Sequence, residues 1–284
     1  MGVNNVRLEY VASGFMHDVY RSGGYAYKCV KDSFPNENNR EHFEREMKSL
    51  ELLKKAGFPA PCECMLFSPG EIIQGKWVMR ESWIEGNQYR DGVMPLEMEK
   101  KVFDKILGMA KQITGSFYGP IGVKNGIYAD WREFLKRIYE DNSITKVACP
   151  KLSITQEHLE KLIDRYVPPN PMPVFVSMDT NLMNFFFDEV GEISGVTDIE
   201  HPIFGDYLFL LADIRWCRDH WFHREDWFAK WISIKDIHDL IRIDIYEFLI
   251  AYQEIAIRYI SGTSHISIDN EFYKLEKKLL DENL

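Results

Sequence analysis

The sequence lacks any run of about 18 apolar residues, the length that a membrane-spanning helix requires, and we expect no membrane association. Residues 1–10 alternate in polarity and lack the apolar block of a secretion signal. Cysteine is scarce: the five thiols stand at positions 29, 62, 64, 149 and 217, without the paired spacing of a zinc finger. An odd, scattered set in a chain of 284 residues predicts reduced thiols and a cytoplasmic location.

The chain also has fewer positively charged than negatively charged side chains. The chain has 34 Lys and Arg residues against 44 Asp and Glu residues, a formal net charge of -10. A nucleic-acid-binding face needs the opposite sign, so nucleic acid is not an expected partner. A cationic small molecule suits an acidic protein, although many proteins are acidic for solubility alone. Apolar residues at 45% and charged residues at 27% indicate a globular chain, which we expect to be a monomer or homodimer.

The first part of the chain is predicted to contain strands around one helix. Short β-prone runs cover residues 7–12, 19–21, 25–30 and 77–83. Between them, apolar side chains at helical spacing over residues 43–53 predict an amphipathic helix that Gly57 ends.

From Pro95 onward the pattern is mostly helical. Helices are predicted after Pro95, around Trp131, after Thr155 as N-cap, and over 235–260 and 270–282. A β-prone island interrupts them at 174–176, 185–187 and 193–197, with a hairpin turn at 188–191. The sequence therefore predicts an α+β, two-lobed chain, in which a small antiparallel β-sheet lobe with one helix precedes a larger, mainly helical lobe. The expected limits are 1–81, a hinge at 82–86, and 87–284.

The β-prone island carries the most informative polar residues. Asp179 and Asn184 form a D-x4-N pattern, and Asp198 and Glu200 form D-x-E after the hairpin. Phosphoryl transfer needs a carboxylate to orient the attacking hydroxyl and oxygen ligands to hold magnesium on the phosphates. A loop with an aspartate and an asparagine, facing an aspartate at the end of a hairpin, supplies both.

Two further features lie upstream. Lys28 stands in the third β-prone run, and Glu46 follows 18 residues later on the amphipathic helix. A strand lysine paired with a helix carboxylate positions the α- and β-phosphates in kinase-like sites. The turn at Ser13 and Gly14 precedes them, where backbone amides can approach phosphates.

Together these residues resemble the aminoglycoside phosphotransferase and choline kinase-like family, which has the protein-kinase-like fold. The family pattern H-G-D-x4-N, hairpin, I-D-[FW]-[ED] is matched at Asp179, Asn184, Asp198 and Glu200. Further matches are Lys28, Arg45-Glu46, residues 58–61 as V-P-V-P, residues 82–86 as the adenine hinge, and Gly205-Asp206. The resemblance covers residues from about 10 to 215.

The resemblance implies an enzyme that uses ATP or GTP with Mg²⁺ to phosphorylate a hydroxyl of a small molecule. It implies Asp179 as catalytic base and Asn184 with Asp198 as magnesium ligands. The backbone of Ser82 and Ile84 would meet the base of the nucleotide. The first expected substrate is an aminoglycoside, which would make the protein an antibiotic-resistance enzyme; choline-, homoserine- and sugar-type substrates are alternatives.

The sequence departs from the family pattern at Ser177 and Met178, which replace its loop histidine and glycine. Ser177 can replace a scaffold histidine by hydrogen bonding, and Glu200 is a further candidate for binding the metal or supporting its ligands. The departure also leaves open a pseudokinase that binds nucleotide or partners without efficient catalysis.

On the substrate side, four acidic residues among tryptophans are candidates for binding ammonium groups. They are Asp213, Asp219, Glu225 and Asp226. Simple packing of a helical lobe, with a solvated acidic face, explains each of them equally well or better when taken singly.

Overall fold

The computed structural model describes residues 6–34, 39–89, 94–123, 125–177, 180–199, 201–221, 232, 234–262 and 269–282. The chain falls into two compact units. The first comprises Met1–Val102, Ile121–Val123 and Asn181–Pro202, and the second comprises Phe103–Pro120, Lys124–Thr180 and Ile203–Leu284. Each unit is thus assembled from separate chain segments, and the linear limits 1–81, 82–86 and 87–284 stay a prediction.

The elements follow each other along the chain as strands and helices of moderate length. The strands are β1 (Glu9–Ser13), β2 (His17–Ser22), β3 (Tyr25–Val30), β4 (Cys64–Phe67), β5 (Val78–Ser82), β6 (Asn87–Gln88), β7 (Gly119–Pro120), β8 (Val174–Val176), β9 (Phe185–Phe187), β10 (Ile193–Val196) and β11 (Ile203–Gly205). The helices are α1 (Arg40–Lys55), α2 (Leu96–Ala110), α3 (Trp131–Asp141), α4 (Thr145–Ala148), α5 (Gln156–Tyr166), α6 (Tyr207–Trp221), α7 (Ile237–Ile260) and α8 (Asp269–Leu280).

The first unit is built on a five-stranded antiparallel sheet of order β1-β2-β3-β5-β4. The β-prone runs at 7–12, 19–21, 25–30 and 77–83 are confirmed as β1, β2, β3 and β5. The edge strand β4 was not predicted, because a four-residue run of partly buried residues has no period that separates a strand from a loop.

Helix α1 contacts this sheet at β4 and begins with a side-chain cap. The Asn39 side chain accepts a hydrogen bond from the backbone N–H of His42 at 2.8 Å. The helix buries Phe43, Leu50 and Leu53 as predicted, and Gly57 follows its end in a left-handed conformation at φ 77°. The same buried face also carries a carboxylate, which must find a partner away from water.

A second sheet of the first unit has the order β10-β9-β6. The predicted hairpin is confirmed: the Asp188 N–H donates to the carbonyl of Glu192 at 2.9 Å, and the Gly191 N–H donates to that of Asp188 at 3.1 Å. The Asp188 carboxylate also accepts from the backbone N–H of Val190 and Glu192. Residues 188–191 therefore set the register that delivers the chain to Asp198.

The second unit contains a small sheet of order β7-β11-β8 and most of the helices. Its core includes a buried polar chain, in which the Trp131 Nε1–H donates to the Tyr246 hydroxyl at 2.9 Å and that hydroxyl donates to Asp206 at 2.7 Å. Thr155 caps α5 as predicted, accepting from the His158 N–H at 3.1 Å. Helix α7 is 24 residues long, but no helix in the described part of the chain combines the length and apolarity that a membrane span requires.

Candidate active site

The centre of the candidate site is the buried ammonium group of Lys28 on β3. Its Nζ lies 2.6 Å from Glu46 Oε1 on α1 and 2.7 Å from Asp198 Oδ1 just after β10. A third carboxylate, Glu81 on β5, lies 3.5 Å away. The Lys28 side chain is only 2% exposed. The expected ion pair between Lys28 and Glu46 is thus confirmed; its role as a phosphate clamp stays a prediction.

Charge keeps this lysine ionised despite its burial. Burial alone lowers the pKa of Lys28, but the carboxylates of Asp198, Glu46 and Glu81 outweigh that effect and hold the pKa well above its ordinary value. An ammonium group has three N–H donors, and three carboxylates surround it here. Lys28 is therefore a fixed, permanently charged group at neutral pH.

Glu81 is a functional candidate that the sequence reasoning missed. Burial, opposed by Lys28 and reinforced by Glu46 and Asp198, raises its pKa to about 7. Its Oε1 accepts a hydrogen bond from the Thr197 hydroxyl at 3.2 Å. The available signal was strand alternation, because a residue two places after the buried Met79 must point to the same inner face.

Asp198 stands in a strained backbone conformation. Among the described residues other than glycine it alone has a positive φ, 59°. A non-glycine residue in this region costs about 1–3 kcal/mol and persists where surrounding contacts impose it. Contacts hold Asp198 and the residue before it: the Asp198 carboxylate binds Lys28, the Thr197 hydroxyl binds Glu81, and the Thr197 N–H donates to the Asn184 carbonyl at 3.0 Å.

The residues present fit a magnesium ion. Asn184 lies in the short 3-10 turn Leu182–Asn184, and its backbone bond to Thr197 brings it next to Asp198. Asp198 is also the most exposed carboxylate partner of Lys28, at 39%. Carboxylate and amide oxygens are the hard ligands that Mg²⁺ prefers, and it commonly takes only one or two from the protein. Among the described residues there is no cluster of three or more His, Cys, Asp or Glu side chains able to hold a metal.

The predicted hinge follows β5 and lies against the β9–β10 hairpin. The Ser82 N–H donates to the carbonyl of Glu63, and the Trp83 N–H donates to that of Gly24 at 2.9 Å. What Ser82 can offer to a base is therefore its carbonyl oxygen. Contact of Ser82 and Ile84 with a nucleotide stays a prediction.

Two glycines allow the hinge to lie so close to the hairpin. A Cβ on Gly195 would overlap the Ile84 side chain. Gly86 has φ 143°, and a Cβ there would lie 2.5 Å from the Ser194 Oγ. The same Ser194 hydroxyl donates to the carbonyl of Glu85 at 2.7 Å, which fixes the hinge backbone.

The turn at Ser13 and Gly14 is closed by its own hydrogen bonds. The Ser13 hydroxyl donates to Asp18 at 2.8 Å, and the Gly14 N–H donates to the carbonyl of His17 at 2.8 Å. The Gly14 carbonyl accepts from Lys31. Phosphate binding by Ser13 and Gly14 stays a prediction, and it requires these internal bonds to be exchanged.

Some predicted residues lie outside the described part of the chain or are buried. Asp179, Glu200, Glu225 and Asp226 are outside it, and the Asp219 side chain is not described. Ser177 is 6% exposed, and its hydroxyl has no hydrogen-bond partner among the described residues. Asp213 on α6 is 2% exposed, as expected of packing rather than of a group open to substrate. The roles of these residues stay predictions.

The fold resembles those of solved phosphotransferase structures. The apo form of a thermostable mutant of the aminoglycoside phosphotransferase APH(4)-Ia is 16% identical, with a TM-score of 0.67 over 96% of this chain and 92% of that one. The chain has the fold of the aminoglycoside phosphotransferases. This agreement confirms the predicted α+β, protein-kinase-like architecture and the resemblance at the level of the fold.

Other solved structures share the aminoglycoside-phosphotransferase fold. A protein assigned as a fructosamine-3-kinase from Haemophilus somnus is 16% identical, with a TM-score of 0.65 over 96% of this chain and 91% of that one. The GDP and kanamycin complex of APH(2")-IIIa is 10% identical, with a TM-score of 0.59 over 100% and 95%. No protein-family model and no curated protein sequence matches the chain.

Proposed function

We propose that the protein is a small-molecule phosphotransferase, which transfers the γ-phosphate of ATP or GTP to a hydroxyl group. One observation carries this proposal: Lys28 is buried between Glu46 and Asp198, within the aminoglycoside-phosphotransferase fold. A lysine held by a helix carboxylate beside a metal-binding aspartate is the arrangement that phosphoryl transfer uses.

In this proposal each described residue has a separate task. Glu46, fully buried, anchors the Lys28 ammonium, which turns toward the α- and β-phosphates. Asp198 and Asn184 hold a magnesium ion, which neutralises charge on the phosphates when it is bound. Because Asp198 also contacts Lys28, its carboxylate would be shared between the lysine and the metal.

Asp179 is proposed to act on the acceptor. Its carboxylate orients the attacking hydroxyl and takes its proton, and it need not touch the metal. The Ser82 carbonyl and the Ile84 N–H hold the base of the nucleotide. Glu200 is a further residue proposed to support the metal.

The proposed acceptor is a small polar molecule, with an aminoglycoside as the first choice. Crystal complexes of proteins with this fold contain hygromycin B or kanamycin, and one relative is assigned as a fructosamine-3-kinase. Choline-, homoserine- and sugar-type acceptors are alternatives. Asp219, Glu225 and Asp226 are proposed substrate contacts, while the burial of Asp213 supports packing for that residue.

A second function, a nucleotide-binding pseudokinase, is favoured by one observation. The Ser177 hydroxyl is buried and has no partner among the described residues, so none of them gives it the hydrogen bond by which it would replace a scaffold histidine. In either case we propose a cytoplasmic monomer or homodimer. Turnover separates the two functions, since a pseudokinase binds the magnesium nucleotide without consuming it.

The test is a nucleotide-consumption screen with ATP and GTP over aminoglycosides, choline, ethanolamine, amino acids and sugars. Asp179→Asn should lower turnover by about 10²–10⁴, the range for losing a positioned base, while nucleotide affinity changes little. Asp198→Asn should weaken magnesium-dependent nucleotide binding as well as turnover, because a hard cation loses a carboxylate. If Asp179→Asn instead abolishes magnesium-nucleotide binding and Asp198→Asn leaves it intact, the two roles are reversed. If neither change affects turnover, the proposed mechanism is wrong.

A further inference from the structure

The side chains of β5 alternate between two environments, and Glu81 faces inward. Arg80 lies over the Tyr25 ring at 4.3 Å, and the Ser82 hydroxyl accepts from the Glu63 N–H at 3.1 Å. Between them, Glu81 points to the opposite face with Met79 and is 3% exposed. It is also the last residue before the hinge carbonyl of Ser82. A carboxylate therefore lies at the inner end of the proposed base-binding segment.

The two oxygens of this carboxylate differ. Glu81 Oε1 accepts from the Thr197 hydroxyl at 3.2 Å and lies 3.5 Å from Lys28 Nζ, so two partners fix the side chain. Glu81 Oε2 is buried and has no hydrogen-bond partner among the described residues. Leaving a buried charged acceptor unsatisfied is costly, and such an atom calls for a donor supplied by something else.

We propose that Glu81 is a specificity-determining residue that accepts a hydrogen bond from the exocyclic amino group of adenine, and thereby selects ATP over GTP. This inference rests on the proposed function, because it places the base at the hinge. It assigns Oε2 a ligand donor, and the atoms that cover Oε2 in the structure must give way to the base.

The chemistry of the purines supports this choice. The exocyclic nitrogen of adenine carries two hydrogens, whereas guanine has a carbonyl oxygen at the same position. If one hydrogen is donated to the Ser82 carbonyl, the second needs another acceptor, and Oε2 is available on the adjacent residue. A guanine or hypoxanthine carbonyl would instead face a carboxylate oxygen, so that two acceptors would meet.

The test is calorimetric titration of the full chain with the magnesium complexes of ADP, IDP and N6,N6-dimethyl-ADP at about pH 8, where a carboxyl group with a pKa of about 7 is mostly ionised and can only accept. IDP replaces the six-amino group of ADP by a carbonyl and carries a hydrogen on N1, and the dimethyl compound keeps the six-nitrogen but lacks both of its hydrogens. Wild-type protein should bind ADP about ten- to a hundredfold more tightly than either analogue, the range expected for a hydrogen bond to a charged group. Glu81→Gln, which keeps the shape and replaces the charged acceptor by an amide, should reduce the preference for ADP over IDP about tenfold relative to wild type, while the part contributed by the hinge backbone remains. Glu63→Gln removes an exposed carboxylate just before β4 and should leave the preference unchanged.

Each outcome decides something. If the wild-type protein binds ADP and IDP equally, the role of Glu81 is wrong and the proposed function stands. If Glu81→Gln keeps the wild-type preference, the role is also wrong. If the variant does not fold, the dimethyl compound still decides, because undiminished binding of it by wild-type protein excludes the hydrogen bond. If no nucleotide binds to wild-type protein with magnesium, the proposed function itself fails.

Discussion

Replacing Lys28 by methionine should destabilise the protein far more than replacing a surface lysine. Methionine keeps much of the apolar stem but removes the charge that three carboxylates share. Two of these carboxylates have almost no contact with water, since the Glu46 and Glu81 side chains are 0% and 4% exposed. Removing one partner of a buried ion pair costs about 3–5 kcal/mol, because it leaves an uncompensated charge.

The loss should also depend on pH, and its sign follows from Glu81. The pKa of Glu81 in the folded protein is already raised to about 7, so the folded state holds a proton that the unfolded state releases near 4.5. Removing Lys28 takes away the positive charge that lowers the pKa of Glu81, so this pKa rises further. Acidification therefore favours the folded variant, and the destabilisation should be larger at pH 8 than at pH 6. Lys28 itself adds no pH dependence in this range, because its raised pKa keeps it charged throughout.

The assay is urea denaturation of wild type and Lys28→Met at pH 6 and pH 8, followed by the fluorescence of the seven tryptophans. Lys48→Met is the matched control: Lys48 lies on α1, is 46% exposed, and pairs with Glu51 at 2.9 Å. An exposed pair of this kind is worth about 0–1 kcal/mol. A loss below about 1 kcal/mol for Lys28→Met at pH 8, or a loss independent of pH, would refute the cluster described here.

Three further predictions concern single side chains. The Glu81→Gln variant should gain stability relative to wild type as the pH rises from 5 to 8, by up to about 3 kcal/mol. This is the free energy needed to ionise a carboxyl whose pKa is raised from 4.5 to about 7 in the folded protein. A difference in unfolding free energy that stays constant with pH would contradict this. Tyr246→Phe should lower the free energy of unfolding by about 1–3 kcal/mol, because Trp131 and Asp206 each lose a hydrogen bond. Tyr252→Phe is the control: it removes a buried hydroxyl that has no partner among the described residues and should be near neutral. Equal melting temperatures of the two variants would contradict the buried polar chain. Gly195→Ala should displace the Ile84 side chain, which its methyl group would overlap, and weaken magnesium-nucleotide binding at least tenfold. Gly24→Ala is the control, because there is open space around Gly24. Equal affinities of the two variants in calorimetry would show that nucleotide binding does not depend on the position of the hinge.

Most of the regular structure was determined by local sequence. Helix α1 follows from apolar residues at helical spacing between an asparagine cap and Gly57, and the β9–β10 hairpin follows from the turn residues 188–191. These signals are contained in a few consecutive residues, so no knowledge of the rest of the chain is needed to use them. Lys28, Asn184 and Asp198 were proposed as site residues in the same way, from their spacing relative to these elements, and their roles stay predictions.

The tertiary structure alone decided which charges meet and what state they are in. Nothing in the local sequence around Glu81 shows that it lies beside Lys28, because the contact joins β3 to β5 across 53 residues of chain. Nor does it show that Asp198 adopts a positive φ, next to a threonine that bonds to Asn184 and Glu81. Burial and charge pairing are properties of the assembled core: the same carboxylate has an ordinary pKa in water and a pKa of about 7 inside it.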